Sequence, residues 1–380
     1  MGSSFDLAYI RSQVPITRSR AYLFSGALAP AALPVLAAWN SWSTAWQEDP
    51  NSVYTAEALI GSSASLRASF ARLIGGDPAG VAITDNTSRA ANIAIRALAG
   101  RRGNNVVVDS GTYPSSLYPW YARGEYEVRL VETDGIADAA GAMAARVNDG
   151  TVAICVSHVA PLTGRRHDLA ALAALAHRHD AALVVDAAQS TGVVPIDVRR
   201  EGVDILVTTA MKWLMGPPGV GFLYLATNVL DKVPVLDVGY LGLEGRRAEW
   251  PRDRMPTVSA DARRYELGLP NLPGVLAAKA GIDLLMEVGI IKVAEHVNKL
   301  TTRCLEGLAE QSADIVTPLD PNQRAGVIAV SHPRAERIFE CCRDARVDIG
   351  VAGNLRVDPH VFNNEDDIDR FLDSFEQFNR

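Results

Sequence analysis

The chain has 380 residues, 48% hydrophobic and 21% charged, enough for a large core and two domains. A net charge of −7 gives no electrostatic support to a nucleic-acid role, and no apolar run of roughly 18 residues offers a membrane span. Four cysteines, Cys155, Cys304, Cys341 and Cys342, show no CxxC spacing and read as reduced thiols in a cytoplasm, while the start, Met1 to Asp6, lacks the basic-then-apolar order of a signal peptide.

In chain order, Tyr22 to Pro30 is a short apolar run into a small-residue loop. Residues 34–46 read as a helix, with Val35, Trp39, Trp42 and Trp46 at helical spacing for core or interface packing. From residue 52 to about 225 strands and helices alternate. Seven strand candidates lie at 81–84, 105–109, 127–131, 152–156, 182–186, 204–208 and 220–225, with Ala-rich helices at 90–98 and 169–179. Near-continuous apolar strands separated by helices imply an α/β fold with a mainly parallel seven-stranded sheet, covered on both faces. No G-x-G-x-x-G follows a strand, so a dinucleotide-binding dehydrogenase is disfavoured.

Polar residues collect just beyond the strands: Asn86-Thr87-Ser88, Gly111-Thr112-Tyr113, Ser157-His158, Asp186, then Thr209 and Lys212. Carboxyl ends of strands are where open α/β sheets bind ligands. Asn86-Thr87-Ser88 opens a helix and suits an anion, although N-capping by Asn86 or Thr87 explains the same residues. Asp186 ends one strand and Lys212 lies just past the next. That pair suits pyridoxal 5'-phosphate (PLP): Lys212 would form the covalent link, and Asp186 would keep the pyridine nitrogen protonated. Met211, Trp213, Leu214 and Met215 surround Lys212, and such desolvation lowers a lysine pKa. His177 and His179 flank a helix end and read as surface; no metal site is expected.

Residues 240–265, including Gly245-Arg246-Arg247, form a charged segment that is either a loop over the site or a dimer contact. Pro270 to Pro273 reads as a hinge. A helix at 274–288 leads into an α+β region, with strands at 326–331 and 354–357 and a last helix at 366–378.

Asp186-Ala187-Ala188-Gln189, Thr209-Ala210-Met211-Lys212-Trp213-Leu214 and Gly216-Pro217-Pro218-Gly219-Val220-Gly221-Phe222 together resemble the class V aminotransferase family. That family includes cysteine desulfurases, isopenicillin N epimerase-like proteins, kynureninase and sulfoxide C–S lyases. The resemblance implies the PLP-dependent transferase fold type I. It divides the chain into a segment 1–48 packing with the small domain, a large PLP-binding domain 49–270 and a small α+β domain 271–380. Asn86, Thr87, Ser88 and Thr209 would hold the phosphate, and Tyr113 would stack on the cofactor. Gln189 would reach the cofactor's phenolic oxygen alone, because Pro161 stands where desulfurases carry Asn. Leu269 replaces a threonine that reaches the neighbouring subunit's phosphate. Met211 replaces a histidine.

For the substrate, Arg356 matches the carboxylate-binding arginine, with a local pair to Asp358 as the plainer alternative. Phe24 stands in a site-bordering loop where relatives often have Asn or Asp. His158 is either a proton shuttle or a structural loop residue. The region Val347 to Asn354 contains no thiol, so a persulfide-forming desulfurase is disfavoured. The expected reaction is β-elimination on an S-substituted cysteine or its sulfoxide in a specialised-metabolite pathway. Transamination, epimerisation or decarboxylation coupled to oxidative deamination is the alternative. A catalytically idle PLP-binding protein would not need Lys212, Asp186, Gln189 and Arg356 together. The family implies a cytoplasmic homodimer with interface active sites.

Overall fold

The computed structural model describes residues 6–235, 237–245 and 247–378. The expectations on Met1 to Phe5 and on Arg246 lie outside these. The large sheet contains β1 (Val81–Thr84), β2 (Asn105–Asp109), β3 (Glu127–Val131), β4 (Thr151–Ser157), β5 (Ala182–Asp186), β6 (Ile205–Thr209) and β7 (Gly221–Leu225). Their spatial order is β1-β7-β6-β5-β4-β2-β3. All neighbours are parallel except those of β7, which runs antiparallel to both β1 and β6.

Six of the seven strands are buried throughout. Successive side chains point to opposite faces, so one continuous apolar run feeds two cores. Val107, Ile154, Leu183, Val185, Leu206 and Phe222 face one core. Val106, Val108, Ala153, Val184, Val207 and Leu223 face the other. Each fully buried Val, Leu, Ile or Phe contributes roughly 1.5–3 kcal/mol. On the first face Phe222 stacks on Phe70, ring centroids 4.0 Å apart. The second face is covered by α3 (Thr87–Ala97), whose Ala90, Ala94 and Ile95 are buried. The edge strand β3 is the exception in burial. It pairs Glu127 with Arg129 at 2.8 Å on its own surface, and charges there discourage edge-to-edge association.

The C-terminal region carries an antiparallel sheet of β8 (Asp314–Ile315), β9 (Ile328–Ser331), β10 (Gly350–Ala352) and β11 (Asn354–Val357), in the order β10-β11-β9-β8. Ile338, Phe371 and Phe375 from its helices share one apolar cluster with Ile328 and Leu355. The chain's beginning is tied to this region. Ala21–Tyr22 pairs in parallel with Val347–Asp348, Arg20 grips Asp348 with two bonds of 2.6 Å, and Arg11 pairs with Asp367 at 2.8 Å. Helix Leu33–Glu48 packs along helix Leu272–Val288.

Element boundaries move by a few residues, for local reasons. The helix expected from residue 90 begins at Thr87, because the Asn86 side chain accepts the Arg89 N–H and caps it. The last helix begins at Glu365, where Asn364 and Asp367 form a capping box. In the tryptophan-bearing helix only Val35 is fully buried. Trp39 is partly buried against the main core, Trp42 is partly buried and Trp46 is exposed. The charged segment 240–265 holds short helical turns at 240–242, 247–249 and 262–265. Together with Leu59, Ile60 and Arg67 it encloses a cavity of about 490 Å³.

A buried ion pair locks this region to the sheet. Arg67 donates to both Glu266 oxygens at 3.0 and 2.9 Å, and Glu266 also accepts the Ile83 N–H at 2.9 Å. Removing one member of such a pair strands the other charge. Glu266→Ala is expected to lower stability by about 3–5 kcal/mol, whereas an apolar replacement of both partners costs far less. Urea unfolding of the single and double variants checks this.

Candidate active site

Strand order brings Ser157, Asp186 and Thr209 together, because β4, β5 and β6 are neighbours and Ser157 pairs with Asp186 in register. Lys212 follows in a tight turn. The Met215 N–H donates to the Lys212 carbonyl at 3.0 Å, and the Gly216 N–H to that of Ala210 at 2.9 Å. Met215 closes the turn at φ +56, a left-handed conformation that costs a non-glycine residue of order 1–3 kcal/mol. Trp213, Leu214 and Met215 are fully buried and anchor the turn, so the chain around Lys212 cannot relax into solvent.

Trp213 also organises the neighbours. Its indole N–H donates to Gln189 Oε1 at 2.8 Å, and Gln189 Nε2 donates to the Gly26 carbonyl at 2.9 Å. Its own carbonyl lies 3.1 Å from His360 Nε2. Ala29 bonds the Met211 carbonyl at 2.9 Å. The loop of residues 24–30 is thereby stitched to the lysine turn. Gly192 makes this possible: it sits at φ +108, and a Cβ there would lie 2.4 Å from the Trp213 carbonyl.

The electrostatics follow from burial. Desolvation lowers the Lys212 pKa; Asp186 opposes that shift and Arg356 adds to it. Asp186 is 2% exposed. Desolvation raises its pKa against the Ser116 hydroxyl, the Ala188 N–H and Lys212. Ser116 donates to Oδ2 at 2.7 Å and Ala188 to Oδ1 at 3.0 Å. Lys212 Nζ sits 5.4 Å from the Tyr113 ring centroid, and the Tyr113 N–H is held by Ser157 Oγ at 3.0 Å. On the other side, Arg356 lies over the Phe24 ring at 5.6 Å and pairs with Asp358 at 2.6 Å.

The remaining residues fall into two groups. Asn86, Thr87 and Ser88 form the first turn of α3. Thr84 and Thr209 both stand opposite Gly221 in the sheet, so Thr209 and Asn86 border one strip. The side chains there are engaged within the protein: Asn86 caps its helix, Ser88 donates to Ser115 at 2.7 Å, and Thr209 donates to the Val220 carbonyl at 3.3 Å. His158 does not join the cluster by any hydrogen bond of its ring among the described residues. It is 3% exposed, and burial pushes its pKa down to about 3. It is therefore uncharged at neutral pH. His177 and His179 bond Asp204 and Asp149 at 2.8 and 2.9 Å, and among the described residues no His, Cys, Asp and Glu group could hold a metal.

The residues present fit PLP. A desolvated amine, a buried carboxylate whose nearby cation is Lys212, an aromatic face and a helix N-terminus are the groups such a cofactor needs. The sequence assigns no role to Ser116, which reaches Asp186 from the helix Pro114–Arg123. Ser157 reads there only as one of the strand-end polar residues, and its bond to the Tyr113 N–H depends on the fold. Trp213 reads only as apolar cover for Lys212, and its partner Gln189 is not deducible.

A mostly parallel seven-stranded sheet, a small α+β unit and a desolvated lysine near a strand-end carboxylate define a PLP-dependent enzyme of fold type I. The chain belongs to the aminotransferase class-V family, whose model matches residues 21–369. An uncharacterized aminotransferase of Bacillus subtilis, YcbU, is 29% identical over 310 residues, 81% of each chain. The solved apo cysteine desulfurase of Thermococcus onnurineus NA1 has the same fold, with a TM-score of 0.88 at 24% identity over 100% of this chain and 99% of that one. The cystine C–S lyase C-DES, solved with its product cysteine persulfide, gives 0.87 at 23% identity over 96% and 99%.

Lys212→Ala is expected to abolish the visible absorbance of the protein-linked cofactor and the label trapped on this peptide by borohydride; an unchanged spectrum overturns the placement of Lys212. Asp186→Asn keeps the shape and removes the charge. Turnover should fall about 100-fold or more with the cofactor still bound, as read by steady-state kinetics beside the absorbance spectrum.

Proposed function

We propose that this enzyme catalyses β-elimination on an S-substituted cysteine or its sulfoxide, releasing a thiol (or its oxidised form), pyruvate and ammonia. The observation that carries the reading is the setting of Lys212: a desolvated amine within electrostatic reach of both Asp186 and Arg356. PLP, when bound, supplies the electron sink that makes the substrate's α-C–H bond acidic.

The chain's own residues divide the remaining work. Arg356 would hold the α-carboxylate and so fix which α-bond faces Lys212. Lys212, its pKa lowered by desolvation, would take the α-proton as the C–S bond breaks. Asp186 would hold a negative charge against the cofactor's ring nitrogen. Tyr113 would cover the ring face, and Asn86, Thr87, Ser88 and Thr209 would hold the phosphate. Water then hydrolyses the released enamine to pyruvate and ammonia.

Thiol placement favours this lyase over a persulfide-forming desulfurase. Cys341 and Cys342 lie on the helix Ala335–Asp344. Burial pushes the Cys155 and Cys342 thiols up to about 12 and Cys304 higher still, which suppresses thiolate. A C–S lyase among the structures of the same fold is consistent with this assignment. Transamination is the second reading, supported by the relative described as an aminotransferase. The proposal extends to a cytoplasmic homodimer; gel filtration at the monomer mass would remove that part.

The test mixes PLP-loaded protein with an S-alkyl cysteine and follows products by mass spectrometry. Thiol and pyruvate in equal amounts are the expected result. Exchange of the amino group onto a keto acid, without thiol release, would replace elimination with transamination.

A further inference from the structure

The group Arg356 is proposed to bind, a carboxylate, is already present beside it. Asp358 Oδ2 accepts from Arg356 Nη2 at 2.6 Å. The two side chains are 8% and 0% exposed, so the pair is screened little by water. Asp358 cannot swing aside easily. Its N–H is held by the Leu23 carbonyl at 2.7 Å. Gly26 closes over the contact so tightly that a Cβ there would lie 2.4 Å from Asp358 Oδ2 and 2.5 Å from Arg356 Nη2.

The guanidinium is nevertheless incompletely used. Arg356 Nε is buried and has no hydrogen-bond partner among the described residues. A buried donor left in that state costs free energy, and an incoming acceptor would relieve it. A substrate carboxylate reaching Arg356 must either displace Asp358 from Nη2 or bind with the Asp358 charge still in place. In both cases the attraction of Arg356 for the ligand is offset.

Resting on the proposed role of Arg356 in substrate binding, we infer that Asp358 is an affinity-setting residue, an internal competitor that holds down the affinity of the site for a substrate carboxylate. It acts through Arg356 and touches no reacting atom. The cost falls on every amino-acid substrate alike, so tight binding has to come from the rest of the substrate. Burial outweighs the attraction of Arg356 and Lys212 and pushes the Asp358 carboxyl up to about 6. The competitor is therefore removable by acid. The ionisable groups that sense it are Arg356, Lys212 and Tyr22. Tyr22 is shifted upward and does not titrate in the useful range. Lys212 is covalently occupied in the holoenzyme under the reading above.

The probe is 3-(methylthio)propionate, which has the carboxylate and sulfur of S-methyl cysteine but no amine, with its amide as the control. Binding to PLP-loaded protein is read by calorimetry. Asp358→Asn is expected to bind the carboxylate at least about 10-fold tighter and the amide within about twofold of the parent. Because the variant leaves Arg356 buried without its counter-charge and can fail to fold, the unmodified enzyme supplies a second measurement. Its affinity for the carboxylate should rise several-fold from roughly pH 8 to roughly pH 5.5, where a carboxylic acid of ordinary pKa near 4.3 stays largely ionised. The amide should not respond. A folded Asp358→Asn protein with unchanged or weaker carboxylate binding overturns the inference, as does a flat pH profile in the parent. If the variant tightens as expected but S-alkyl cysteine yields no thiol, the competitor stands and the lyase reading falls.

Discussion

Desolvation of the partly buried Lys212 is the constraint on which the rest of this structure depends. An ammonium in a low-dielectric environment is costly, and that cost lowers the Lys212 pKa. The surroundings that do so are not incidental packing. Trp213, Leu214 and Met215 are fully buried and fasten the turn that projects Lys212 from the end of β6. Met215 accepts a left-handed backbone in the process. Strain at such a turn persists only when the packing around it overdetermines it, and here Gln189 and His360 both converge on Trp213.

That convergence joins distant parts of the chain. Gln189 follows β5, Gly26 lies in the N-terminal segment and His360 lies past β11, yet all three meet at or next to Trp213. The same N-terminal segment pairs with Val347–Asp348 and bears on Arg356 through Phe24. Phe24, Arg356 and Asp358 are therefore held together, and the 24–30 loop and His360 tie them to the turn that carries Lys212. The ends of a substrate, amine and carboxylate, would be gripped by elements that are coupled through packing and hydrogen bonds rather than by independent loops.

Charge balance at the site is also unusual. Two buried carboxylates, Asp186 and Asp358, are each pushed toward neutrality by desolvation, and they face two basic groups, Lys212 and Arg356. Removing any one member leaves another uncompensated, which is why polar clusters of this kind are sensitive to single substitutions. Gly26 closes the cluster from the N-terminal side, where no side chain would fit.

The apolar strands, their mainly parallel arrangement and the crevice at their carboxyl ends were legible in the sequence, because near-continuous apolar runs separated by helices and strand-end polar residues are local signals. Asp186, Lys212 and the family motif were legible for the same reason. Helix starts at Thr87 and Glu365 shifted because caps depend on side-chain geometry that composition does not reveal. What the sequence could not decide was which of its two readings Arg356 follows at rest; the fold places it on Asp358. Nor could it show that Ser116 steadies Asp186, that Trp213 spends its N–H on Gln189, or that His158 is sealed away from solvent. Each of these depends on residues far apart in the chain meeting at one point. The sequence alone determined the sheet and the family with its cofactor, since those rest on apolar runs and a contiguous motif. The tertiary structure alone decided how the charges are paired, since the energy of a buried charge is set by neighbours that only folding supplies.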